Sequence, residues 1–507
     1  MNAAVARPPA KVEASRGRYF ARPLRRLAAA GAFVLALACD AGESRVFRAG
    51  AAVGDITPEL GSIIIGGFSP RPATHVHDPL QVRALVLDDG AVRLALVVCD
   101  NIGLPREVCD DAKRRIQARS KLEPGRVLIS STHTHSGVTA GTETSIGPNN
   151  GRGPEDIAAY QRMIAGRIAD TVQRAINQLE PARIGWGSGS EPTQVFNRRW
   201  HVSDEALRRN PFGGVDQVRM NPPAGSPALV RPAGPVDPEI PFLSVQAKDG
   251  RPLALYAAYS LHYVGGVPAG VMSADYFAMA CARIGELVEA GFPRDPRRAP
   301  FVGLLANGTS GDVNNIDFRA KRPALPPFEQ MHRVASRVAA EVYRAYQQVE
   351  YRDWVSLDAR YTDRPVASRK PTPEMVARAR EVLARPAGGP GWHPLEKSYA
   401  HRVLQRAEAP DTVPAPLQAF RVGDVLLMTM PVEVFAEMGL ELKKKAPFAR
   451  AFTVSLANAY YGYLPTVAQL PLGGYETWVG TNRITPQAGA EMAETLLRMA
   501  AELKPSG

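Results

Sequence analysis

"RVLISSTHTHSGVTAG", residues 126–141, runs an apolar stretch straight into a His-Thr-His triplet and then into small residues. The Val-Leu-Ile run, entered from Pro124-Gly125, predicts a short buried strand. Residues two apart on a strand face the same side, so His133 and His135 are predicted to point into one cavity. Imidazole suits zinc, and a catalytic zinc takes three protein ligands and keeps a fourth position open. Polar histidines at strand ends are also common without any metal, so the triplet alone leaves both readings standing.

Outward from this stretch the chain alternates strand and helix signals. "VRALVLDDGAVRLALVV" (82–98) is two apolar runs around Asp-Asp-Gly, which is hairpin chemistry. "LALYAAYSL" (253–261), "VGLLA" (302–306) and "VLLMTM" (425–430) read as further buried strands, each leading into a polar, Gly-rich or Pro-marked segment. Ile164, Ile168, Val172, Ile176 and Leu179 recur at helical spacing, as do Phe328, Met331, Val334, Val338, Val342 and Tyr346. Thr372-Pro373 predicts a capped helix start, and Met492, Leu496, Met499 and Leu503 a last amphipathic helix. The expectation is an α/β fold: mixed β-sheets with flanking helices in a single large catalytic domain. Polar clusters at strand ends are where such folds place chemistry.

Composition narrows the function. With 45% hydrophobic and 22% charged residues, the 507-residue chain reads as an ordinary globular protein. Arg16, Arg18, Arg22, Arg25 and Arg26 precede "LAAAGAFVLALA", the charged and apolar regions of an export signal over residues 1–38. "ALAC" ends at Cys39 as a loose lipobox does, so the mature protein is expected to be periplasmic, secreted or lipid-anchored through Cys39. Removing the leader's net six positive charges turns the formal +11 into +5. That is too little for a nucleic-acid surface, and no nucleic-acid partner is expected. Cys99, Cys109 and Cys281 show no metal-thiolate spacing and read as buried thiols.

Two familiar His-x-His contexts fail here. Ser136-Gly137 stands where an HxHxDH metallohydrolase carries its Asp-His, and the later ligand series of the amidohydrolase barrels is not found. A third fits along most of the chain. "GDITP" (54–58), "HDPLQVRALVLDDG" (77–90), "STHTHSG" (131–137), "FNRR" (196–199), "SLHYVGG" (260–266), "SADYF" (273–277), "NGTSGDVNN" (307–315), "PVEVF" (431–435), "NAYYGYLPT" (458–466) and "GGYE" (473–476) follow in order. As a set they resemble the neutral ceramidases, zinc amidases that hydrolyse N-acylsphingosine.

The resemblance implies Zn²⁺ held by His133, His262, Glu433 and Tyr463, with His135, Arg198 and Tyr475 holding the substrate carbonyl and the oxyanion. Each type has a physical reason to be there. A carboxylate flanked by Val432 and Val434 is costly to bury without a cation, although a salt bridge would also serve. A phenol beside a divalent ion can ligate as phenolate. Arg198 or Arg199 could instead pair with a carboxylate, while Tyr460 and Tyr461 read as aromatic packing. His75 and His77-Asp78 read as loop structure, and Asp275 either orients a histidine or caps a helix.

Two departures shape the functional expectation. The family's loop reads Gly-Asp-Val-Ser-Pro-Asn, whereas Asn314 stands here at the serine's place. An amide is no nucleophile, so attack by metal-activated water is expected, with Asn314 as a hydrogen-bonding positioner. Ser310, four residues upstream, could replace the serine only if the loop folded differently. Second, the chain stops 32 residues after Tyr475, so the Ig-like domain of the family's longer members is expected to be absent. Residues 199–242 form a Pro/Gly/Arg-rich insertion expected to reshape the substrate entrance, and residues 365–412 a helix-containing insertion without assigned chemistry. The expected partner is a lipid amide, membrane-derived and met in transient contact with the membrane surface. The alternatives are a non-catalytic binder on the same scaffold and a zinc esterase or amidase acting on something other than ceramide.

Overall fold

Two sheets face each other across a shared apolar layer, and helices cover the outer face of each. The computed structural model describes residues 45–505 apart from 67–69, 142–153, 294 and 387–390. The export signal and Cys39 lie outside the described residues. Arg45–Gly507 forms one compact unit.

The larger sheet has eight strands: β1 (Arg48–Asp55), β2 (Gln81–Asp88), β3 (Arg93–Cys99), β4 (Val127–Ser131), β5 (Glu180–Ser190), β6 (Glu239–Ala247), β7 (Pro252–Tyr259) and β8 (Val302–Asn307). Their spatial order is β8-β7-β6-β5-β1-β2-β3-β4, antiparallel except for the β7–β8 and β3–β4 pairs. The smaller sheet aligns β9 (Leu357–Ala367), β10 (Thr412–Val422), β11 (Val425–Thr429) and β12 (Arg450–Val454) in that order, with β11 and β12 parallel. The Asp-Asp-Gly hairpin forms as read, β2 against β3.

Side-chain alternation explains the layers. Leu85 and Leu87 of β2 point into the layer between the sheets, where Phe420, Leu427 and Phe452 of the smaller sheet meet them. Ala84 and Val86 point outward onto helices α1 (Arg106–Ser120) and α2 (Pro154–Asn177). Both faces being covered, the strands read as nearly continuous apolar runs rather than as alternating ones. Helices α3 (Asp275–Glu289) and α4 (Glu329–Tyr346) cover the β6–β8 end. Helices α7 (Ala436–Lys445) and α8 (Pro486–Leu503) close the far side of the smaller sheet. Helices α5 (Pro373–Ala384) and α6 (Glu396–Glu408) form the second insertion between β9 and β10, and Thr372 caps α5 as its sequence predicted. The first insertion contributes a three-stranded sheet of residues 199–202, 218–220 and 229–232.

Cys99, Cys109 and Cys281 are free and buried. Burial pushes the Cys109 thiol up to about 12 and the Cys281 thiol up to about 11, and raises that of Cys99 well above its ordinary value. At pH 8 a thiol of pKa 11 is only about one-thousandth thiolate, the reactive form. In a Cys39→Ser background the folded protein is therefore expected to react with a thiol reagent at least ~100-fold more slowly than the urea-unfolded chain. A folded-state rate equal to the unfolded one would refute this burial.

Candidate metal centre

The segments that carry the predicted site leave the C-terminal ends of strands. His133 follows β4, His262 follows β7, the Ser310 loop follows β8, Glu433 follows β11, and the tyrosine segment follows β12. Asn307 ties these ends together: its amide donates to the Thr132 carbonyl at 3.1 Å, and its own carbonyl accepts the Ser455 N–H at 3.0 Å. Its side-chain oxygen takes the Ser310 hydroxyl at 2.6 Å.

His133 departs from the expected strand geometry. It lies past the end of β4 with φ 71°, in the left-handed region, so strand alternation does not aim it. Its N–H instead bonds the Asn101 carbonyl at 2.9 Å and turns the backbone out of the sheet. The two histidines still converge, with Nε2 atoms 3.1 Å apart.

All three histidines are oriented the same way. Nδ1 of His133 donates to the Ile102 carbonyl, Nδ1 of His135 to that of Gly66, and Nδ1 of His262 to that of Ser310. A donating Nδ1–H leaves Nε2 as a bare lone pair. Their ligand-capable atoms all lie within 4.8 Å of one another. Glu433 Oε2 completes the set, 3.1 Å from His133 Nε2 and 3.6 Å from His262 Nε2. His262 Nε2 and Glu433 Oε2 are buried without a hydrogen-bond partner.

Electrostatics keep these groups in their metal-binding forms. Burial holds His135 and His262 well below the ordinary imidazole range, and neighbouring histidines and Arg198 push the same way. Burial works to raise the Glu433 carboxyl, but His133, Tyr460 and Arg198 outweigh it and leave it below its ordinary value. The neutral imidazoles of His135 and His262 beside an ionised carboxylate match the donor chemistry of a divalent cation. His135, read from sequence as a substrate contact, thus sits among the groups able to hold a metal.

Glu433 is fixed by register. Glu433–Val434 pairs in parallel with Tyr463–Leu464, and Glu433 stands directly beside Tyr463. Gly311 allows the neighbouring loop to close on it, since a Cβ there would lie 2.6 Å from the Glu433 carbonyl oxygen. Tyr460 is more than packing: its hydroxyl donates to Glu433 Oε1 at 2.7 Å. The Tyr463 ring lies nearly parallel to His262 at 6.3 Å and meets the Tyr475 ring edge-on at 5.7 Å. His133, His135, Glu433, Tyr460, Tyr463 and Tyr475 share the wall of one cavity of about 610 Å³.

Arg198 pairs with a carboxylate and is not on the cavity wall. Its guanidinium lies 5.2 Å from the Tyr463 ring centroid, yet its Nε binds Glu476 Oε1 at 2.8 Å. Arg199 binds the other oxygen of the same carboxylate at 2.9 Å. Glu476, fully buried, was missed in the sequence although it adjoins Tyr475. The Asp275 carboxylate accepts the N–H groups of Val264, Gly265 and Tyr276, so it caps α3 and holds the strand-exit loop behind His262 without touching an imidazole. Asp78 accepts from Ser273 and Ala274 in the same loop system.

Three expectations are displaced. Asn314 does not line the cavity; its amide donates to Asn221 at 2.8 Å and its oxygen accepts from Ile316 at 2.9 Å, because Val313–Asn314 is paired with Phe196–Asn197. Ser310 commits its hydroxyl to Asn307 and acts through its carbonyl on His262. The first insertion does not form the cavity wall either. It backs Tyr475 from the other side, where Asp216 accepts the Gly474 N–H at 2.8 Å and the Trp478 indole at 2.7 Å. The second insertion supplies the wall instead, through Arg402, Gln405 and Arg406 of α6.

The sequence profile of the neutral/alkaline non-lysosomal ceramidase N-terminal region matches residues 47–317, just over half of the chain. The chain belongs to the neutral/alkaline ceramidase family. The fold is similar to the crystal structure of a neutral ceramidase from Pseudomonas aeruginosa, at TM-score 0.65 and 20% identity over 90% of this chain and 74% of that one. A ceramidase complexed with C2 is similar at TM-score 0.65 and 19% identity, covering 91% of this chain and 77% of that one. No curated protein matches. In this ceramidase-family chain Glu433, Tyr463 and Tyr475 lie beyond the matched profile, within the shared fold.

Glu476 carries two guanidinium groups with no water to replace it. Removing one partner of a buried pair costs about 3–5 kcal/mol. Glu476→Gln is therefore expected to lower urea-unfolding stability by that order, while Glu491→Gln, which breaks the half-exposed pair with Arg364, should cost under about 1 kcal/mol. Equal effects of the two would remove Glu476 from its supporting role.

Proposed function

We propose that the protein is an exported, zinc-dependent hydrolase that cleaves a lipid amide, N-acylsphingosine or a related compound, with activated water as the nucleophile. One observation carries this reading: three Nε2 atoms and a carboxylate oxygen crowd one site, and His262 Nε2 and Glu433 Oε2 are buried there without a hydrogen-bond partner. Such an arrangement is repulsive unless a cation occupies its centre. His133, His135, His262 and Glu433 would hold that cation, with Tyr463 alongside. Bound there, a divalent ion supplies Lewis acidity, drawing electrons from a carbonyl oxygen and making water a better acid.

The chain's own groups supply the rest. Burial keeps the Tyr475 phenol above its ordinary pKa, so it stays protonated and can donate to an oxygen that gains charge. Arg198, locked by Glu476 and the Gly311 carbonyl, presents fixed positive charge next to Tyr463. Fixed donors cost no reorganisation as charge develops. Tyr460 and the Gly311 approach hold Glu433 in place. Over the reaction the water oxygen bonds the acyl carbon, the C–N bond breaks, and the amine leaves with the proton. The family membership supports ceramide as the first substrate, and an anchor at Cys39 would keep the enzyme near membrane lipid.

Purified protein is expected to contain about one zinc per chain by elemental analysis, and chelation should abolish hydrolysis that added zinc restores. His133→Ala and Glu433→Ala should each lower bound zinc by at least ~10-fold, whereas Asn314→Ala, off the cavity wall, should retain it. Hydrolysis that survives complete removal of metal would defeat the proposal. Full zinc occupancy with no turnover of any amide or ester would favour the non-catalytic binder.

A further inference from the structure

The second insertion brings cations to the cavity. Arg402 and Arg406 of α6, and Arg483 beyond Tyr475, line the same wall as the metal-binding cluster. Arg106 lines it too and pairs with Asp110 and Asp363. The remaining acids on the wall, besides Glu433, are Glu107 and Glu408.

Arg402 is held in one place. Gly480, at φ +98°, leaves room for its stem: a Cβ at Gly480 would lie 2.8 Å from the Arg402 Cβ and 3.1 Å from its Cδ. Its Nη1 donates to Thr481 Oγ1 at 3.2 Å, and its guanidinium carbon lies 4.8 Å from the Tyr399 ring centroid. The Tyr399 hydroxyl binds the same threonine oxygen. No carboxylate of the described residues pairs with Arg402, so most of its five N–H donors remain for something that enters the cavity. Arg402 and Tyr475 share the cavity wall, and Tyr475 adjoins Tyr463. Arg483 flanks the opposite side, its guanidinium 5.5 Å from the ring of Tyr460, which holds Glu433.

We propose that Arg402 is the anchor of an anion subsite, and that among the lipid amides of the proposed reaction this enzyme favours those carrying an anionic oxygen group on the amine side. A guanidinium fixed against an aromatic ring, with unused donors, is built for planar recognition of carboxylate or for phosphate. The simplest substrate of this class is an N-acyl amino acid, in which the carboxylate lies one carbon from the amide nitrogen. Hydrolysis then consumes one water, breaks the acyl C–N bond, and yields a fatty acid and a free amino acid whose nitrogen has taken the proton. The apolar part of the wall, Ile65, Ile102, Val413 and Ile484 among it, suits the acyl chain. The orientation of the substrate rests on the hydrolase reading; the subsite itself does not.

The test uses three probes with one acyl chain: N-lauroylglycine, N-lauroylethanolamine and N-lauroylethanolamine phosphate. Binding is measured calorimetrically on the full chain as purified, and Arg402→Gln separates the guanidinium's share of the affinity from a metal's. N-lauroylglycine is expected to bind at least about tenfold more tightly than the neutral ethanolamide, as befits a charge-assisted pair. Arg402→Gln should collapse that ratio and Arg402→Lys restore part of it. Tighter binding of the phosphate than of the carboxylate would keep the subsite and identify a phosphate head group as its source. Equal binding of charged and neutral probes, or a ratio untouched by Arg402→Gln, would overturn the subsite. Turnover of the same probes by zinc-loaded protein judges the other reading separately: selective binding without any cleavage would sink the hydrolase and leave the subsite, and cleavage without selectivity would do the reverse.

Discussion

Three imidazole nitrogens and one carboxylate oxygen, Nε2 of His133, His135 and His262 with Oε2 of Glu433, face one another at the centre of this protein. Left without a positive charge between them they would repel, and burial would magnify the cost. Most other features of the site follow from keeping that arrangement. Each imidazole has its Nδ1 bonded to a main-chain carbonyl, which fixes the tautomer and the direction of Nε2 at once. Because His133 and His262 follow strands of the larger sheet and Glu433 follows β11 of the smaller one, the centre can form only after strands from both sheets have been brought together.

That assembly is achieved by polar side chains at strand ends. Asn307 joins the exits of β4, β8 and β12, and Asp275 gathers the loop behind His262 onto the first turn of α3. Glu476 binds Arg198 and Arg199 together and offsets one of their two positive charges, which eases the burial of two guanidinium groups beside a site that must hold a cation of its own. Without the carboxylate, Arg198 would compete more strongly with a bound metal. With it, the guanidinium is held as a fixed positive charge next to Tyr463.

The sequence made the scaffold legible where one local rule sufficed. Apolar runs, the Asp-Asp-Gly turn and the Thr-Pro cap each depend on neighbouring residues, and each element formed where its pattern lay. The histidines, Glu433 and the tyrosines were visible as a set through their order along the chain, and the fold brings them to one cavity. What stayed hidden depends on contacts between remote segments. Nothing in "GGYE" says that its glutamate holds arginines nearly 280 residues earlier. Asn314 is expected at the site because it stands at the place of the family's loop serine, but pairing with Phe196–Asn197 turns its amide toward Asn221. His133 shows the limit of periodicity: a positive φ outside the strand aims it, and no alternation rule reaches there.

The two insertions illustrate how such a scaffold can change substrate without disturbing its metal chemistry. Helices α5 and α6 enter and leave through Ala367 and Thr412, which are directly paired across β9 and β10. Since the ends are already adjacent, lengthening or replacing the helical hairpin costs little closure entropy and need not move either strand. The metal-holding residues hang from other strand ends, tied by their own register and hydrogen bonds. A wall residue such as Arg402 can therefore vary independently of Glu433 or His133, while still facing them across a single cavity. Selectivity resides in the part of the chain that the core tolerates most easily, and the reaction resides in the part that the core cannot let move.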